Sequence, residues 1–332
     1  MTDGIEIAGI GDRALWETLA DPDSPSQGWA YAAALAEEGI APQLVRLRAG
    51  DGEVTFAFHL RRRDGVVDVA TLPGLSGAVI RGAPGAALAL WRAHARAEGW
   101  IAGYVQLGPV NGERPLAAEV APDRIGAHNI YHVFDLARWS RQESIGHNLR
   151  KSLNRIDRQG VELVTGPEVA AAFPGLLAQA HGRFGSPPLF GPACLEGWRR
   201  GGARYFGARL GCEIVIAGLC HQAGQTVEGH LVGATEAGRP LHAWLFCAIA
   251  EACAAEGLRR FNIGGFGVAG DGLHQMKARL GAREVPLRSL RMVHDPARFA
   301  ALCAAAGADP EDSYFPPWRR PRVEVARDRP DR

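Results

Sequence analysis

Lysine is nearly absent from this chain. Of 37 basic side chains only two are lysines, Lys151 and Lys277, and the rest are arginines. Arginine is a poor substitute for a compact, strongly hydrated ammonium in a tight site, so both survivors are candidates for a role that arginine cannot fill. Long apolar runs are missing too. No stretch approaches the ~18 consecutive apolar residues of a membrane span, and the opening Met1–Ala20 has neither a basic stretch nor an apolar run of signal-peptide type. A net charge of +1 removes any overall electrostatic attraction to nucleic acid or anionic membrane, so a phosphate-bearing partner has to meet a local patch. The six cysteines (194, 212, 220, 247, 253, 303) form no Cys-x-x-Cys pair. Neither a zinc site nor a disulfide framework is expected; buried thiols in a reducing, cytoplasmic setting are. No Gly-x-Ser-x-Gly elbow is present, and no cysteine has an evident activating neighbour. A covalent acyl-enzyme is therefore not expected.

What is present is a repeat. Glu53–Leu60, a turn at Arg63-Asp64-Gly65 and the run Val66–Ala70 are echoed roughly 160 residues later. The second version is Glu213–Cys220, a turn at Ala223-Gly224-Gln225 and Thr226–His230. Each hairpin precedes a helix closing on Glu-Gly, at Glu98-Gly99 and Glu256-Gly257, and then a short strand, Gly103–Gly108 or Arg260–Gly264. The second copy reads as strand, two helices, three strands, helix, strand, helix, strand over 161–293. The first copy is shorter and less regular, with Ser26 as the expected N-cap of a helix over Gln27–Glu38. From Pro316 onward apolar periodicity is lost. Three segments follow: 1–138, 139–310, and a basic tail over 311–332 expected to be mobile.

This order resembles the GNAT acyltransferase fold, and two copies in tandem resemble its Fem-type branch, which includes aminoacyl-tRNA-dependent ligases. The resemblance extends over Asp12–Asp295. It rests on the basic helix Asn148–Arg158 leading into Gln159-Gly160-Val161, on Glu256-Gly257, on Phe261-Asn262-Ile263-Gly264-Gly265 and on Met276-Lys277-Ala278-Arg279-Leu280-Gly281. It implies an α/β (α+β) protein of two GNAT-like domains, each a mixed, mostly antiparallel sheet flanked by helices, that transfers an aminoacyl or acyl group to an amine. Asn262 stands where the family often carries aspartate. Ala237-Gly238-Arg239-Pro240 does not match the pyrophosphate-binding loop of acetyl-CoA-dependent relatives, which ranks aminoacyl-tRNA above acyl-CoA as co-substrate. No tightly bound cofactor is implied. The acceptor is an amine-bearing small molecule or cell-envelope precursor.

Amide formation needs a base for the amine, polarisation of the donor carbonyl, and register between the two. Glu228 and His230, two apart in a strand, share a face, and either can accept a proton; equally, one can be a solvated residue and the other a core histidine. Lys277 can oppose charge on a carbonyl oxygen or a phosphate, a role the resemblance implies for a lysine in this segment. Arg150, Lys151, Arg155 and Arg158 form a stripe suited to phosphate, such as a tRNA backbone, although such runs are usually solvated faces. Gly265-Phe266-Gly267-Val268-Ala269-Gly270 is formally a dinucleotide fingerprint, but it lies too near the chain's end to open a nucleotide-binding domain. Gly264, Gly265 and Gly267 are read instead as a sharp turn beside a ligand, with Asn262 adjoining it. Trp244, with Trp198 and Phe206, is a candidate cleft wall, although core packing is the commoner role. His128, Tyr131 and His132 have no metal spacing.

Overall fold

Alternating burial in two hairpins organises the sheet. The computed structural model describes residues 3–75, 77–111, 114–185, 187–265 and 270–321; the remainder, including Gly267, lies outside the described residues. The first half contains β1 (Gly4–Gly9), α1 (Arg13–Leu19), α2 (Trp29–Ala36), β2 (Gln43–Ala49), β3 (Gly52–Arg63), β4 (Val66–Thr71), β5 (Val79–Arg81), α3 (Gly85–Ala97), β6 (Ala102–Gln106) and β7 (Arg124–Asp135). A short α4 (Arg141–Ser144) and α5 (His147–Arg158) connect it to the second half. That half contains β8 (Glu162–Thr165), α6 (Pro167–Phe184), α7 (Pro192–Arg200), β9 (Arg204–Leu210), β10 (Glu213–Ala223), β11 (Thr226–Ala234), α8 (His242–Ala255), β12 (Arg260–Asn262), α9 (Gly272–Ala278) and β13 (Arg283–Val293), followed by α10 (Pro296–Ala306).

All thirteen strands form one sheet, in the order β1-β2-β3-β4-β6-β13-β7-β12-β11-β10-β9-β8, with β5 pairing to β3 off this path. The order is a palindrome in structural role. Each half runs antiparallel through four strands, β1 to β4 or β8 to β11, then parallel from β4 to β6 or from β11 to β12. The last strands are exchanged: β13 pairs with β6, and β7 pairs with β12. A cut at 138/139 in the chain therefore does not divide the sheet, because each half is completed by the other's final strand. The interleaving makes the two copies one layer rather than two separable beads.

Side-chain alternation gives the sheet two covered faces. On one, Ala217 and Leu219 of β10 join Trp16, Tyr31, Leu35, Phe173 and Trp198 of α1, α2, α6 and α7. On the other, Ile216 and Cys220 meet Leu153 and Ile156 of α5 and the buried side of α8, while β2 and β3 pack on Trp91 of α3.

Local expectations hold with exceptions. The hairpin turns are two residues each, with left-handed φ of +51° at Asp64 and +72° at Gly65 in the first and +47° at Gly224 in the second, matching the twist of the flanking strands. Ser26 is not an N-cap. Pro25 starts a 3-10 turn over Pro25–Gln27, Gly28 precedes α2, and Ser26 is buried instead. The described part of the expected tail, 311–321, is docked: Phe315 and Trp318 pack on Phe299 of α10, and Arg319 reaches Asp68. Aromatic packing and the Arg319–Asp68 pair together hold it in place. Five of the cysteines are buried; Cys212, at the β9–β10 turn, is exposed. Among the described residues no helix is long and apolar enough to cross a membrane.

Candidate functional site

The parallel ladder of β11 and β12 is short: Thr226 pairs with Arg260, Val227 with Phe261 and Glu228 with Asn262. Beyond that rung β11 carries a bulge. Leu219 of β10 faces Leu231 and Cys220 faces Gly229, leaving His230 as the extra residue. Bulges of this kind re-aim side chains and end pairing.

Glu228 is buried and shares its face with His221, its cross-strand partner, and with Asn262. Asn262 Nδ2 donates to Glu228 Oε1 at 3.4 Å, and Asn262 Oδ1 accepts from the Gly264 amide at 2.9 Å. In front of the pair is a cavity of about 150 Å³ whose walls include Asp21, Asp23, Arg81, Glu228, Arg260 and Asn262. Three of these come from the first half. Arg81 pairs with Asp21 at 2.5 Å and Arg260 with Asp23 at 3.4 Å, which leaves the carboxylate face of the cavity suited to a cationic or amine-bearing group. Typical small-ligand pockets run from about 300 Å³, so this one admits the reacting end of an acceptor and not a whole co-substrate.

His230 lies on the same face but in different company. Its ring centroid is 4.7 Å from that of Trp198, 5.0 Å from Phe190, 5.4 Å from His221 and 5.6 Å from Tyr31. Burial drives its pKa well below the ordinary imidazole value, with His221 adding to the shift; burial alone takes His221 down to about 3. His230 forms one wall of an aromatic cluster. Tyr31 closes it: its hydroxyl donates to Pro73 O at 2.5 Å and accepts from the Leu75 amide at 3.2 Å. Burial raises the Tyr31 phenol well above its usual range, opposed by the Leu75 amide and supported by Cys194 and Glu228. The loop crosses at Gly74, with φ of +100°; a Cβ there would sit 2.4 Å from His230 Nε2 and 2.5 Å from Tyr31 Oη. Only glycine permits that approach.

Lys277 enters from the opposite side of the sheet, beneath Phe246 of α8, whose ring centroid is 5.7 Å from Nζ. Its buried ammonium donates to Ile263 O at 2.5 Å and Gly265 O at 2.6 Å. Burial lowers its pKa to about 8, opposed by Asp271. A Cβ on Gly264 would stand 3.8 Å from Lys277 Nζ and 3.9 Å from Gly229 O. Ammonium, glycine turn and bulged strand thus meet where β11 and β12 part.

The other sequence candidates lie elsewhere. Arg150 donates to the carbonyls of Gln142 and Ile145, fastening α4 to α5, whereas Lys151 and Arg155 are exposed on α5. Trp244 does not line the cavity; its Nε1 donates to Asp157 Oδ1 at 2.6 Å and ties α8 to α5. Trp198 and Phe206 are core. Asp21, Asp23, Arg81 and Tyr31 were not singled out in the sequence, because they belong to the other copy and reach the site only through the fold. His221 carried a usable signal, since the two-residue turn sets it opposite Glu228. A concavity of about 1010 Å³ is an apolar groove between α6 and α7 walled by Phe173, Leu177, Phe190 and Tyr205; no sequence candidate lines it, but Phe190 connects it to the His230 cluster.

No family model and no curated protein matches the chain. Solved structures do. FemX aligns with a TM-score of 0.66 at 11% identity, covering 89% of this chain and 98% of that one. The C-terminal domain of a putative lysylphosphatidylglycerol synthetase from Agrobacterium fabrum aligns at 0.58 and 15% identity, covering 90% and 96%. L-PGS from Bacillus licheniformis aligns at 0.54 and 14%, covering 74% and 82%. At these identities the likeness is one of fold, which the chain shares with FemX.

Proposed function

We propose that this protein is an N-acyltransferase that forms an amide by direct attack of an amine on an aminoacyl or acyl donor. The observation that carries the reading is Glu228: a buried carboxylate facing a small acidic cavity at the point where the parallel strands separate, in a fold shared with FemX. In this reading the acceptor's amine occupies the cavity and Glu228 takes its proton, directly or through one water. Asn262 orients the carboxylate through Nδ2. The donor approaches the gap between β11 and β12, where Lys277 holds the glycine turn by its two carbonyls; its charge favours an oxyanion or phosphate near that turn. Aminoacyl-tRNA and acyl-CoA both remain donors in this reading, with tRNA phosphates meeting Lys151 and Arg155 on α5. The acceptor is an amine-bearing small molecule or cell-envelope precursor, and the α6–α7 groove offers space for an apolar portion.

The test is a mass-spectrometric assay of purified protein with acyl-CoAs or charged tRNAs against a panel of amines. Amide product that disappears in Glu228→Gln, with the fold retained, supports the proposal. A wild-type rate in that variant refutes Glu228 as the base. A second reading, a ligand-binding protein without turnover, draws support from Lys277, whose ammonium already serves two backbone carbonyls. It predicts that acyl donors or amines raise thermal stability while no donor is consumed.

A further inference from the structure

Strand exchange brings together a second cluster that the transfer chemistry does not use. His132 of β7 lies opposite Glu284 of β13 in the antiparallel ladder, and His274 of α9 approaches both. His132 Nε2 is 3.7 Å and His274 Nε2 is 3.8 Å from Glu284 Oε1. One ligand-capable atom from each residue lies within 4.8 Å of the other two. We propose that His132, His274 and Glu284 bind a first-row divalent cation of the zinc class, pinning α9 to the seam between β7 and β13.

The donor set supports this assignment. Two imidazoles and a carboxylate suit zinc and its neighbours, and three protein ligands leave a fourth position for water. Ligands at zinc–nitrogen and zinc–oxygen distances lie roughly 3.3 Å apart in a tetrahedron, so the two histidine–glutamate separations of 3.7 and 3.8 Å lie within about half an ångström of that geometry, and the two imidazole ligand atoms are within 4.8 Å of each other. His132 is fully buried and fixed from behind, its amide donating to Gly264 O at 3.2 Å. Burial, with Lys277 next in order, lowers its pKa.

Coordination has a consequence for the turn. His274 Nδ1 accepts from the Gly270 amide at 2.8 Å, so in the neutral ring Nε2 carries the proton. Ligation through Nε2 leaves the ring proton on Nδ1 and releases the Gly270 amide. His274 and Lys277 lie three apart on α9, so the cation would fix the helix that carries Lys277 while loosening the end of the glycine turn.

The test is calorimetric titration of chelator-treated full-length protein with ZnCl2, without donor or acceptor, so its outcome does not depend on the transfer reaction. One ion per chain is expected. Glu284→Gln and His274→Asn, both outside the core, should each weaken binding by about tenfold or more while keeping the metal-free melting temperature. Faster exchange of the Gly270 amide on zinc addition is expected in wild type alone. Absence of binding, or equal affinity in all three proteins, overturns the site.

Discussion

The two hairpins place a carboxylate at the same position, the third residue after the turn, and use it in opposite ways. Asp68 faces Arg61 across its hairpin, as Glu228 faces His221. Asp68 is sealed: Arg61 Nε donates at 2.6 Å and Arg319, from the docked C-terminal segment, at 2.7 Å. Glu228 accepts from the Asn262 amide and borders a cavity. Asp68, with both guanidiniums on its oxygens, has no space for a ligand, whereas Glu228 borders a cavity that a ligand can enter. The repeated hairpin supplies two equivalent positions, and different neighbours make one a brace and set the other beside a cavity.

The largest expected effect tests the open member. Glu228→Gln should reduce amide formation by about 10²–10⁴-fold with little change in melting temperature, measured under single-turnover conditions. Asp68→Asn should do the reverse, leaving the rate intact and costing on the order of 3 kcal/mol in urea unfolding, because two partly buried guanidiniums lose their partner. If Asp68→Asn abolished transfer without loss of stability, the comparison would fail.

Smaller effects sharpen it. Lys277 has a pKa of about 8 in the folded chain against 10.5 as its ordinary value. Between those limits the unfolded chain binds more protons, so stability rises with pH across that window. Below pH 8 the cost of the buried charge is present in full. Lys277→Met should flatten this rise, as followed by denaturant midpoints at intervals from pH 7 to 11. The smallest effect concerns α5: Lys151→Ala with Arg155→Ala should leave stability unchanged and lower the salt dependence of charged-tRNA binding by about one to two ions. An unchanged slope would remove α5 from the donor's path.

Much of this was legible in the chain because local rules generate it. The turns Asp64-Gly65 and Gly224-Gln225 set hairpin register, and register alone puts His221 opposite Glu228. The Glu-Gly helix ends and the short strands after them mark the same unit twice. Lys277 was legible from composition. What it holds was not, since carbonyls carry no sequence signal. Trp244 shows a related limit: an aromatic at a helical position looks the same in sequence whichever cavity it borders, and here it lies with Asp157 on a different concavity from Glu228. The docking of 311–321 was hidden because Phe315 and Trp318 have no periodicity of their own and find their partners only in the fold, among Ile101, Ala102 and Phe299.

The amino-acid order determined the strands, the helices, the repeated unit and the residue types available for proton transfer, all properties of short segments governed by turn geometry and side-chain alternation. Tertiary structure decided the rest: the exchange of β7 and β13, the assembly of Asp21, Arg81, Glu228 and Asn262 around one cavity, and the meeting of His132, His274 and Glu284. The physical reason is that long-range strand pairing, not local preference, sets which carboxylate is neutralised and which faces open space, and identical hairpins acquire different chemistry from the segments that cover them.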